Sequence, residues 1–551
     1  MKQKKLFMLF SALIALVGMD TALASEAKFE RFSYHGESDI QANAHQYVNP
    51  VMPGFYPDPS VTRVGDDYYL VNSSFGYFPG LPIFHSKDLV SWQQIGNAFD
   101  RYEQFNFANV GTSRGIFAPD ISYHDGLFYL TSTCVECSEH FLDNFVMTAK
   151  EPQGPWSEPV SLGFGGIDPS IFWDDDGKAY IVHNDDPQGG SLYDGHKAIW
   201  LQQFDPQSMK MVGERTQVIN GGVDLKQQPF WIEGPHIFKK DGQYYLTAAE
   251  GGTESNHSQV IFRANSIKGP YLPYAHNPIL TQRTLKKDRK NPVANAGHAD
   301  LVQTQSGDWW SVFLAVRPYD QTGDFSTGRE TFLLPVTWKD GWPVILEPGK
   351  PVPLVVSRPE IHPSGQAIQG SLKYSDEFNE DQLSLRWISL RNTKAPLYRL
   401  EQGALMFRSG GRIGNQKEVP AFVGVRQQHN QATVSTTLAF SPQHNGDQAG
   451  LVALQSDQSF LFYGIEKRHG KNILAVFSRE QSAEDRLIRS VPLPAETVDL
   501  TVHINGGKMT FDYRVNGQSK ILLADFDTRF LSTTKAGGFV GTVIGLYAYQ
   551  K

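Results

Sequence analysis

Three carboxylic acids far apart in the chain share one local setting. Asp58 lies in "GFYPDPSV", Asp168 in "GGIDPSIF" and Glu233 in "WIEGPHIF"; each has apolar or aromatic neighbours and a proline within two positions. Gathered in a water-accessible pocket, such acids suit acid and base catalysis on an acetal, where one carboxylic acid protonates the leaving oxygen and one carboxylate activates water or attacks carbon. Asp58, close to Tyr56, suits the base or nucleophile. Glu233 has the longer reach to a glycosidic oxygen, and Trp231 and Ile232 beside it favour a raised pKa. Asp168, near Glu233, would keep the proton on the acid through its own charge. A lone Asp between prolines is ordinarily a turn residue capping its own backbone; a shared site needs the three to converge.

Convergence is what the repeats supply. The pattern recurs as "PDPSVTRVGDDYYLVNSS", "APDISYHDGLFYLTST", "IDPSIFWDDDGKAYIVHN", "IEGPHIFKKDGQYYLTAAE" and "GHADLVQTQSGDWWSVFLA". The leading residues Asp58, Asp120, Asp168, Glu233 and His298 are separated by 62, 48, 65 and 65 positions, room for four strands per unit. "GDD", "HDG", "DDG" and "KDG" between aromatic or β-branched runs mark hairpin turns. Five units of four antiparallel strands predict a five-bladed β-propeller over residues 49–353, whose innermost strands bring the leading residues to one mouth of the axis. Pro57 and Pro59 stiffen the entrance of such a strand.

Beyond residue 373 the texture changes to period-2 runs such as "ATVSTTLAF", "VDLTVHING" and "MTFDYRVNG" joined by Gly, Asn and charged turns. These predict an all-β second domain over 373–551, a β-sandwich of jelly-roll, concanavalin-like type, reached through a Pro-rich linker over 354–372. The basic start "MKQKK", the apolar "LFMLFSALIALVGM" and "ALA" at 22–24 predict a signal peptide over 1–24, export to periplasm or medium, and an N-terminal extension over 25–48. The apolar run is too short for a membrane anchor. With 50 basic against 58 acidic residues and no basic run standing out, nucleic acid is not an expected partner. Cys134 and Cys137 are the only cysteines; a local disulfide and two free thiols are both open, and no second pair or His set completes a zinc site.

The motifs "NPVMPGFYPDPSVTRVGDDYYLVNSSFGYFPGLPIFHSKDLVSW", "GIDPSIFWDDDGKAYIV", "WIEGPHIFKKDGQYYL" and "GRETFLLPVTWKDGWPVI" resemble glycoside hydrolase family 43, in its two-domain β-xylosidase and α-L-arabinofuranosidase group. The resemblance implies an inverting, exo-acting hydrolase of hemicellulose oligosaccharides (xylan, arabinoxylan, xyloglucan) in which Asp58 is the general base, Asp168 the pKa modulator and orienter, and Glu233 the general acid. It also implies that Arg329 contacts the sugar and the base, and that Phe75 and His298 line the sugar pocket. Phe117 in "FAPDI" stands where many relatives carry Trp, which implies weaker stacking past the cleaved bond. The ending "GGFVGTVIGLYA" resembles the group's accessory domain, which packs on the propeller and helps close the pocket.

Two rival functions are open from the residues themselves. A retaining fructan or sucrose hydrolase shares five blades but uses its Asp as a covalent nucleophile, and a non-catalytic sugar-binding module uses carboxylates only to hold hydroxyls. His298 can support the acid, ligate a structural Ca²⁺ or fill the core; no cofactor is required by the chemistry, and calcium prefers oxygen ligands. Oligomeric state is not readable from the chain.

Overall fold

The computed structural model describes residues 26–137, 142–361, 370–408 and 410–551. The expected signal peptide lies outside them, as does part of the expected linker. Asp-Gly pairs set many of the hairpins: Asp125-Gly126, Asp241-Gly242 and Asp340-Gly341 all have both φ angles positive, between 47° and 81°. That backbone matches the right-handed twist of paired strands, and only Gly, Asn and Asp take it readily.

Five antiparallel blades follow in chain order, three of four strands and two, the second and fourth, of five. The innermost strands are Ser60–Val64, Asp120–His124, Ile167–Trp173, Glu233–Lys240 and Ala294–Gln303. Each is followed by a hairpin partner and two further strands outward, so the chain order within a blade runs from axis to rim. The blades pack on one another through apolar faces, as in the cluster joining Phe172, Tyr180 and Ile199 to Ile237, Leu246 and Phe262.

A second unit follows, built of two eight-stranded sheets. Its core is apolar throughout, with Phe29, Phe32, Val434, Leu438, Leu461, Val476 and Phe511 buried together. Residues 25–48, expected as an extension, contribute the strand Lys28–Glu37, which sits inside one sandwich sheet and pairs with Gln431–Ala439 and Leu372–Asp376. The other sheet ends on Tyr77–Phe78, a strand of the first repeat, paired with Ile388–Leu390. Segments from both ends of the chain therefore build the sandwich. Cys134 and Cys137 are joined as a disulfide with Cα atoms 5.7 Å apart, which resolves the choice between a bridge and free thiols. No helix among the described residues is long and apolar enough to cross a membrane.

Candidate active site

The inner strands of blades three, four and five do not start as regular ladder. Their registers shift between Ile167 and Ser170, between Glu233 and His236, and between Ala294 and Asp300. Asp58, Asp168 and His298 take φ of 51°, 58° and 53°, a left-handed backbone that costs a non-glycine residue about 1–3 kcal/mol. The conformation turns these side chains out of the ladder toward the mouth of the axis. At blade four the left-handed residue is Gly234, with φ 53°, where a Cβ would lie 2.7 Å from His298 Nε2, so only glycine permits that approach.

Asp58 is buried and held on three sides. Arg329 Nη1 donates to its Oδ1 at 2.8 Å and Arg329 Nη2 to its Oδ2 at 3.3 Å, a forked contact. The Ser73 hydroxyl also donates to Oδ2. Pro57 is fixed by Asn72 Nδ2, which donates to its carbonyl at 2.9 Å. Arg329 in turn reaches Thr253 Oγ1 at 3.3 Å, and its Nε donates to the Phe539 carbonyl at 3.4 Å.

Asp168 accepts from Gly234 N at 2.9 Å through Oδ2, and His298 Nε2 lies 3.6 Å from the same oxygen. This ties Asp168 to the residue next to Glu233. Glu233 itself is half-buried. Burial, followed by the negative charge of Asp168 and a smaller contribution from Asp58, pushes its carboxyl up to about 8, against the pull of His298 and Arg329. Burial disfavours a charged His298, yet the hydrogen bond to Asp168 and the charges of Asp58, Asp168 and Glu233 raise it to about 9. Both shifts favour keeping the proton, and a carboxyl that keeps its proton is what acid-assisted departure of an alkoxide needs.

An aromatic wall closes one side. Phe75, at φ 50°, stands 5.1 Å from Phe117 and 5.8 Å from Phe539 between ring centroids, and the Arg329 guanidinium lies 5.6 Å from both the Phe75 and Phe539 rings. Phe117 thus packs within a trio of rings. Phe539 comes from the sandwich and Thr253 from a loop of blade four; neither carries a catalytic residue type, and only the presence of Phe539 in "GGFVG" hinted at a pocket-closing role.

Asp120 is a correction. It does not stand with Asp58 and Asp168 at the mouth; its ladder is regular, opposite Thr131, and its side chain lies deeper on the axis. By position it matches Ser60, Ser170 and Asp300, two residues on from Asp58, Asp168 and His298, and His236, two on from the left-handed Gly234, so the residue of blade two equivalent to Asp58 is Ala118. His236 Nδ1 stands 3.5 Å from Asp120 Oδ1 and 3.7 Å from Asp300 Oδ1. Ser60 Oγ lies 3.2 Å from Asp120 Oδ1 and 3.1 Å from Asp300 Oδ2. Backbone amides complete the set: Val61 N donates to Asp300 at 2.9 Å, Ile171 N to Asp120 at 2.9 Å and Leu301 N to Asp300 at 2.8 Å. Groups from all five blades meet in this buried ring.

Calcium takes six to eight oxygens, whereas His298 offers one nitrogen, and Asp120, His236 and Asp300 form the only cluster of three potential ligands among the described residues. Their carboxylate oxygens already accept amide and hydroxyl protons and flank an imidazole.

Comparison with known proteins agrees with this geometry. Residues 47–343 match the model of glycosyl hydrolases family 43, and residues 375–551 match the β-xylosidase C-terminal concanavalin A-like domain. A xylosidase/arabinosidase of Butyrivibrio fibrisolvens is 38% identical over 509 residues, 91% of this chain and 95% of its own length. A non-reducing end α-L-arabinofuranosidase of Bacteroides ovatus is 35% identical over 511 residues, covering 91% of each chain. Among solved structures, a family 43 subfamily 12 protein retrieved from a capybara gut metagenome superposes with a TM-score of 0.88 at 36% identity, covering 96% of this chain and all of that one. With a five-bladed propeller, an aspartate gripped by Arg329 at its mouth, and both domain models matched in order, the chain belongs to glycosyl hydrolases family 43 and is a glycosidase.

Proposed function

We propose that the protein removes single terminal β-D-xylose or α-L-arabinofuranose units from oligosaccharides of hemicellulose, with inversion at the anomeric carbon. Asp58 is the general base: Arg329 and Ser73 fix its carboxylate where it accepts a proton from water. Glu233 is the general acid, its carboxyl raised by burial and by Asp168, and the observation that carries the reading is the forked grip of Arg329 on Asp58 at the mouth where Asp168 ties down the residue next to Glu233. Asp168 holds the acid in place through Gly234 and keeps its proton on. Phe75 and Phe117 flank the sugar, and His298 bears on Asp168. These side chains suffice for the chemistry without a cofactor. Family membership sets aside the fructan-hydrolase and non-catalytic readings. The first 24 residues support export as the protein's route.

Parallel rates on the nitrophenyl β-D-xylopyranoside and α-L-arabinofuranoside give the sugar preference. Proton NMR of the product before mutarotation is expected to show the inverted anomer first; a retained anomer removes Asp58 from the base role.

A further inference from the structure

Arg329, which grips Asp58, also lines a second opening. A recess of ≈ 560 Å³ opens beside Arg329 and Thr253, between Thr533, Thr534 and Phe539 of the sandwich and the loop leading from blade four to blade five. That loop contains Arg283, Lys286, Lys287, Arg289 and Lys290 against a single acid, Asp288. The expectation that no basic run stands out fails here, and the concentration of charge is set in a chain of net charge -8.

The five cations are not equivalent. Arg289 holds the loop together: its Nε donates to the Lys286 carbonyl at 2.8 Å, Nη1 to Gln282 Oε1 at 3.3 Å and Nη2 to the Val293 carbonyl at 2.9 Å. Arg283 and Lys287 also line the recess but are exposed, and neither joins an ion pair among the described residues. Two acids share the lining, Glu254 and Asp320. Asp320 Oδ1 is already engaged by Thr322 N at 3.0 Å, Thr322 Oγ1 at 2.6 Å and Asp324 N at 3.2 Å. The recess therefore offers two cationic heads outside any close ion pair, on a pinned loop next to the arginine that grips the catalytic base, with Glu254 in the same lining and Glu250 within the longer-range field of Arg283. A neutral sugar can accept only hydrogen bonds from them, whereas an anion gains charge pairing as well.

We propose that this recess binds an anionic sugar unit, bearing a carboxylate or a sulfate ester, in the part of an oligosaccharide beyond the sugar that is cleaved. Arg283 and Lys287 supply the counter-charge. The inference rests on the exo-glycosidase reading and adds a substrate class to it. Exposed charge pairs are individually weak and are screened by salt, so the two together are expected to favour the acidic substrate by about threefold to tenfold in kcat/KM.

The test uses three xylo-oligosaccharides alike except for the unit next to the terminal xylose, which is unsubstituted, carries a glucuronic acid, or carries a sulfate ester. At low salt one or both acidic substrates should exceed the neutral one, the better of them identifying the anion. The preference should collapse at about 0.5 M salt, in the Arg283→Gln/Lys287→Gln double variant, and further in Lys287→Glu. Titration calorimetry of the Glu233→Gln protein with the same three compounds reads the preference without turnover. Absence of nitrophenyl glycoside hydrolysis by the wild-type protein sinks the exo-glycosidase reading instead. Equal rates and affinities for all three compounds, or a preference untouched by salt and by both variants, overturn the inference.

Discussion

At the scale of single residues, the division of labour between Glu233 and Asp58 is the claim most open to test. Glu233→Ala is expected to lower turnover of natural oligosaccharides by about 10²–10⁴-fold, the usual worth of general acid catalysis, and to spare substrates with an activated phenol leaving group, which need little protonation. Asp58→Asn keeps the shape but cannot take water's proton, so it should fail on both. Equal losses for Glu233→Ala on the two substrate kinds would remove it from the acid role. The pH profile follows with its sign: the active form carries the proton on Glu233, whose carboxyl is raised to about 8, so kcat/KM falls as pH rises through that value. In Glu233→Ala, assayed on an activated phenyl glycoside, this alkaline limb should vanish; its persistence would assign the limb to another group.

One step up, the start of each inner strand does two jobs at alternate positions. The left-handed residue, Asp58, Asp168 and His298 in three blades and Gly234 in blade four, stands at the mouth, and the residue two further on points down the axis. That second set, Ser60, Asp120, Ser170, His236 and Asp300, binds the blades to one another, and the contacts of Asp300 with Ser60 and Val61 close blade five onto blade one. Burial raises the Asp300 carboxyl, opposed by His236, and the two aspartates raise His236 against its own burial. Removing one member of such a buried ionic group typically costs about 3–5 kcal/mol. Asp300→Asn is therefore expected to lower the thermal midpoint markedly while KM of the folded protein on a nitrophenyl glycoside stays near the wild-type value. An unchanged midpoint would show that the ring does not carry blade closure.

For the molecule as a whole, the sandwich is part of the active site. Arg391, fully buried, donates from Nε to the Val110 carbonyl at 2.8 Å and pairs with Asp457, while Asn392 bonds the backbone of both Phe105 and Phe107 at 2.9 Å. Arg317 joins buried Glu330 and the Gln428 carbonyl at 2.9 Å on another side of the same interface. These contacts seat Phe539 against Phe75 and Arg329. Aromatic pairs contribute about 0.5–1.5 kcal/mol beyond their burial, so Phe539→Ala is expected to reduce kcat/KM by up to about tenfold with little change in thermal midpoint. No loss would mean the sandwich closes the pocket without touching its chemistry.

What the amino-acid order determines by itself is whatever is local and repeated. Turn chemistry at Asp125-Gly126 or Asp241-Gly242, strand periodicity and a fivefold pattern of proline-flanked leading residues suffice to read a propeller, and the three acids stand out because their surroundings recur. The repeat could not show which of two alternate residues faces the funnel. "APDIS" reads like "PDPSV", yet Asp120 aligns with Ser60, and only the regular ladder of blade two, against the left-handed backbone at Asp58, separates the mouth from the ring beneath it. Tertiary structure alone decided the rest, because it depends on contacts between residues hundreds of positions apart. Lys28–Glu37 reads as an extension until it is found between sandwich strands, and Phe539 reads as an ordinary apolar residue until it lies on Phe75. The proton on Glu233 belongs to the same class: a carboxyl is acidic in any sequence, and it is burial beside Asp168 that makes it hold its proton at neutral pH.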